Sequence, residues 1–155
     1  MYHRAVVLLA VLTSVACVAP TEVTRPSVEI LDGTGSTAQR GALHLRAVIE
    51  QGSDSLEAQV RSFVTNASAT DTVLSVSSCT IEMQVWVTIS AAQPVYTDYC
   101  ADKPPVTITL RPGGSVQWIN GIPSTDRLPV GDYVVYVSPT FWPREKVWAG
   151  KITLH

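Results

Sequence analysis

The chain has 155 residues, a net charge of −2, and only 15% charged residues against 46% hydrophobic ones. That length suits one domain with a real core, and charge this sparse and scattered excludes the clustered basic face that nucleic-acid binding needs. Many Val, Thr and Ser residues, with no long segment of 3.6-residue period, point to an all-β protein.

At the start, His3 and Arg4 precede the uncharged apolar run from Ala5 to Leu12, followed by Thr13-Ser14-Val15-Ala16-Cys17. A basic start, a short apolar stretch and small residues before a cut site describe a secretory signal peptide. The run is too short to cross a bilayer as a helix. Ser14-Val15-Ala16-Cys17 resembles a bacterial lipoprotein signal, in which the cysteine is acylated, as with palmitate, and becomes the first residue. Ser14 stands where that signal usually carries leucine, and ordinary cleavage nearby is the alternative. On the lipoprotein reading, residues 1–16 are the signal, Cys17 is the lipid attachment site, and the protein sits in the cell envelope, anchored to a bacterial membrane. Loss of Arg4 with the signal leaves 139 residues at a net charge of −3.

Cys79 and Cys100 then remain as an even pair, which an oxidising envelope is expected to join. Such a bridge closes a loop of about 20 residues and contributes roughly 3 kcal/mol. Two buried free thiols are the alternative.

Residues 17–40 hold Pro20, Pro26, Gly33, Gly35 and a Ser/Thr cluster, and read as a flexible tether. Within them, only Val28 to Leu31 could pair as an edge strand. The domain is expected over 41–155. Leu43, Leu45, Ala47 and Ile49 alternate with polar neighbours, and after Gly52-Ser53-Asp54 the alternation resumes from Leu56 to Val64, with Phe63 on the polar side. Asn66-Ala67-Ser68 matches the glycosylation sequon, which a bacterial lipoprotein rarely uses. A third strand begins at Val73. Ile81, Met83, Val85, Val87 and Ile89 share the next apolar face, opposite Glu82, Gln84 and Trp86. Cys79 has the apolar parity and should point inward. Val95-Tyr96 leads to Cys100.

Val106, Ile108 and Leu110 form another strand, which Arg111-Pro112-Gly113-Gly114 turns into Val116 and Trp118. Leu128 to Tyr133 opens a strand running to Val137, and Val147 to Leu154 closes the sheet. Trp118 and Trp148 fall on core patterns. Between these last strands lie Phe141, Trp142, Pro143 and Arg144. Aromatics and arginine are what contact hot spots favour, and proline stiffens the loop, so this is the candidate partner-binding loop. The competing role for its aromatics is a plug over the sandwich end. Seven to nine strands at this spacing make an antiparallel sandwich.

Leu128-Pro129-Val130-Gly131-Asp132-Tyr133 resembles the tyrosine corner of immunoglobulin-like sandwiches, with a plain strand that begins at tyrosine as the alternative. Taken in order with Ser62-Phe63-Val64-Thr65-Asn66, Pro94-Val95-Tyr96, Leu110-Arg111-Pro112-Gly113 and Trp118, it resembles the bacterial intracellular proteinase inhibitor (BsuPI-like) family over residues 43–154. The resemblance implies an immunoglobulin-like antiparallel β-sandwich that meets a protein partner, possible partners including a protease. An export signal and a disulfide depart from that family's intracellular name.

No G-x-S-x-G, H-E-x-x-H or helical carboxylate pair occurs, and His44 and His155 are the only histidines after the signal. No catalytic residue, metal site, cofactor or small-molecule substrate is therefore expected. The expected function is a lipid-anchored envelope protein acting by protein–protein contact, with proteinase inhibition as the activity the resemblance names. A structural or accessory envelope lipoprotein is the alternative.

Overall fold

Period-2 alternation becomes strand along most of the chain. The computed structural model describes residues 27–53, 57–87, 91–98, 103–123, 127–142 and 144–155, and no helix occurs among them. The signal peptide, Cys17 and Cys100 lie outside the described residues. In order, the strands are β1 (Val28–Asp32), β2 (Ser36–Arg40), β3 (Leu43–Gln51), β4 (Ala58–Asn66), β5 (Thr72–Val76), β6 (Ile81–Trp86), β7 (Tyr96–Thr97), β8 (Val106–Leu110), β9 (Ser115–Gly121), β10 (Gly131–Pro139) and β11 (Val147–Leu154).

They form an all-β antiparallel sandwich. One sheet has the order β1-β11-β10-β6-β7, the opposing sheet β2-β3-β4-β9, and β5 and β8 make a two-stranded ribbon. Leu45, Ala47, Val60 and Val64 from one side meet Met83, Val85, Val135, Val137 and Ile152 from the other, all without solvent contact. Residues on the opposite parity of β3 and β4, such as Arg46 and Phe63, lie outward as alternation demands.

The ordered domain begins earlier than residue 41. Val28 and Ile30 pair with β11, and Ser36 to Arg40 pair with β3, so residues 28–40 are part of the sheets and not tether. Composition misleads here because Gly33 and Gly35 mark the crossing between sheets, where the Gly33 carbonyl accepts from the Ile49 amide at 3.2 Å. These two strands and the short β7 raise the strand number among the described residues above the expected seven to nine.

A second adjustment concerns β6, which ends at Trp86, with Val87 half exposed beyond it. Cys79 lies not in that strand but in the half-buried turn before it, where its amide donates to Ser77 Oγ at 3.1 Å.

Two of the motifs that carry the family resemblance meet in space. Pro112 and Gly113 occupy the middle of a turn closed by the Gly114 amide on the Arg111 carbonyl at 2.8 Å, and Gly113 has φ 73°, the conformation a type II turn requires there. That turn docks on Asn66. The Gly113 amide donates to the Asn66 carbonyl at 2.8 Å and the Asn66 amide donates to the Gly114 carbonyl at 2.9 Å. Asn66 is fully buried; Nδ2 donates to the carbonyls of Thr70 (2.7 Å) and Leu110 (2.8 Å), and Oδ1 accepts from the Ser68 amide and hydroxyl. Its side chain has no capacity left, so in the folded protein it is a structural asparagine and not a modification site.

Candidate functional site

The candidate partner loop divides. Trp142 is 5% exposed and belongs to the core cluster, with Phe141 packed against it edge-on at 5.3 Å between ring centroids. Of the two roles open to these aromatics, the structure places Trp142 as the plug. Pro143 lies outside the described residues. Arg144 is exposed, with the left-handed φ of 74°. Among the described residues of this loop, Phe141 is half-buried and Arg144 alone is exposed.

A second candidate surface is the outer face of the five-stranded sheet. On β10, Tyr133, Val135 and Val137 point inward, which sends Asp132, Val134 and Tyr136 outward. On β11 the pairing slips between Gly150, opposite Val135, and Trp148, opposite Tyr136, leaving Ala149 as an extra residue. On β1 it slips again between Ile30 and Asp32, leaving Leu31 extra. These two β-bulges flank the same strand. Bulges bend a strand and re-aim its side chains, and here they open a cleft of about 690 Å³.

Tyr136 and Trp148, directly opposed across the β10–β11 ladder, form its aromatic wall. Leu31 (53% exposed), Val134 and Val87 (50% exposed) add aliphatic surface. Asp132 and Lys151 supply one charge of each sign at the border.

The walls are held from behind. Trp86, 5% exposed although on the outer face, packs edge-on against Tyr136 at 6.4 Å, and Lys146 Nζ caps the indole at 3.7 Å. Ser36 Oγ donates to the Trp148 carbonyl at 2.9 Å, pinning β11 beside the bulge. Thr153 Oγ1 donates to Asp132 Oδ1 at 2.6 Å. Asp32 is likewise fixed: the Thr34 amide, then its hydroxyl, hold the Asp32 carboxyl below the usual carboxylate range, with a smaller pull from Lys151.

Gly150 completes the local geometry. Its φ is 155°, and a Cβ there would lie 2.2 Å from the Asp32 carbonyl oxygen and 2.8 Å from Ile49 Cδ1. The bulge needs a residue without a side chain.

Trp148 is therefore not in the core, as its parity with Ile152 and Leu154 suggested; the extra residue at Ala149 turns it outward. Trp118 does pack against the core, its Nε1 donating to the Ser77 carbonyl at 3.0 Å. His44 is half-buried on the outer face of β3, and His155 pairs with Glu29 at 3.0 Å. Among the described residues no three His, Cys, Asp or Glu side chains gather as a metal site.

Compared with known proteins, the chain matches no family model, no curated protein and no solved structure.

Proposed function

We propose that this protein is a lipid-anchored binding module of the bacterial cell envelope that works by contact and not by bond chemistry. The observation that carries the reading is the double-bulge cleft, a preformed apolar recess on a rigid sheet with two charged groups at its border. Its anchor would be Cys17. The pairing of Cys79 with Cys100 fits an oxidising compartment, and the described backbone supports it. Cys79 lies in the turn just before β6. The Asp98 amide, bonded to the Met83 carbonyl at 2.9 Å, also brings the chain to within two residues of Cys100 beside the start of β6.

On this reading the proteinase-inhibitor activity implied by the family resemblance would use this cleft too, since Trp142 is held in the core. The test uses the mature protein purified from membranes in detergent. Its retention on an isolated envelope fraction is compared with that of the Tyr136→Ala/Trp148→Ala double variant. Retention lost in the variant, with secondary structure unchanged, is the expected result. Equal retention of both would rule the cleft out as the contact surface.

A further inference from the structure

We infer that the cleft takes a neutral oligosaccharide, an assignment that rests on the binding-module reading above. Its volume of about 690 Å³ falls within the roughly 300–1,000 Å³ of small-ligand sites. Three features of its chemistry select among ligands.

The first is the backbone. β10 is paired with both β11 and β6, and β11 with both β10 and β1, so away from the two bulges the main chain of the floor is already taken up in ladders. A peptide lying there would lose the hydration of its amides and find only the interrupted ladder at the bulges to join, a cost of about 1–3 kcal/mol for each group left unpaired. A pyranose has no amide backbone to satisfy.

The second is the wall. Tyr136 and Trp148 stand side by side on one face, with Tyr136 held in orientation by Trp86. A sugar ring presents a face of C–H groups that stacks on such rings, while the phenol supplies a polar tip.

The third is the border. Among the lining residues Asp132 accepts and Lys151 donates, one charge of each sign. Hydroxyls, each donor and acceptor at once, match that pair. Asp132 Oδ1 already accepts from Thr153, which leaves Oδ2 for the ligand. An apolar floor bordered by one acceptor and one donor is the complement of an uncharged sugar.

The experiment titrates the full mature protein with chitotriose and with cellotriose, followed by tryptophan fluorescence and by saturation-transfer NMR on the sugar. Saturable binding is expected for at least one, with a dissociation constant of about 0.1–1 mM. Trp148→Ala and Tyr136→Ala should each weaken it about tenfold or more. Tyr136→Phe, which keeps the ring, should retain most of it and guards against a folding artefact. No saturation with either sugar up to about 10 mM, together with cleft-dependent envelope retention that vanishes when the envelope fraction is protease-treated, would overturn the glycan assignment and leave the binding-module reading standing with a protein partner. Sugar binding and envelope retention both untouched by the cleft substitutions would overturn the two together.

Discussion

The phenol of Tyr133 donates to the carbonyl oxygen of Pro129 at 2.6 Å, four residues upstream. This closes a tyrosine corner: the ring is buried under the end of the sandwich while its hydroxyl secures the chain entering β10. The motif's sequence alone left a plain strand open as an alternative, and the hydrogen bond decides between the two.

Tyr133→Phe should therefore cost about 1–2 kcal/mol, measured by urea denaturation. It should also change the alkaline limb. Burial raises the pKa of Tyr133, and of Tyr136, above the ordinary value near 10. The neutral phenol is thus favoured in the fold. Above about pH 10 the unfolded chain ionises first, so stability falls as pH rises through the folded-state value. The Phe variant should show a shallower decline, and an unchanged slope would mean that Tyr133 is not a source of it.

Trp142→Ala should lose about 3–5 kcal/mol, as a large aromatic deleted from a core does. Arg144→Ala, two residues away and exposed, should stay within about 0.5 kcal/mol. Chemical denaturation of both variants separates plug from surface; a mild Trp142→Ala would show the loop to be loosely seated.

Asn66→Ala removes both donors of Nδ2 and both bonds to Oδ1, and leaves the Leu110 carbonyl without its side-chain partner. A loss of about 3 kcal/mol is expected. Asn66→Asp should be nearly as costly at neutral pH, because a carboxylate cannot donate to the Thr70 and Leu110 carbonyls. Thermal melts of the two variants provide the check.

Reduction should lower stability by roughly 3 kcal/mol in the wild-type protein and leave a Cys79→Ser/Cys100→Ser variant unaffected. Paired denaturation curves with and without reductant read this directly. Equal curves for the wild type would remove the bridge from the proposal.

Much of this architecture was legible in the sequence, and the failures have particular causes. Parity correctly assigned β3 and β4, because each keeps unbroken alternation over its length, whereas in β8 only Leu110 of the expected apolar face is buried and Val106 is exposed. It failed for Trp148 because one extra residue at Ala149 reverses the faces, and nothing in Val147 to Leu154 announces where the slip falls. The cleft was illegible for the same reason. Its side chains come from four places in the chain, Leu31, Val87, the start of β10 and β11, and only sheet order and two bulges bring them together. The fate of Trp142 was undetermined because a proline-rich loop has no period to read.

The pairing of Val28 with Leu154 has a consequence for geography. With residues 28–40 folded into the sandwich, an anchor at Cys17 is separated from the first strand by only about ten residues, which span at most about 36 Å when fully extended. Leu31, on the wall of the cleft, belongs to that same first strand. A domain leashed this closely, as the proposed lipid anchor would have it, would sample only the thin layer of envelope next to its own bilayer. On that proposal, whatever the cleft holds would have to come down to the membrane surface to be held.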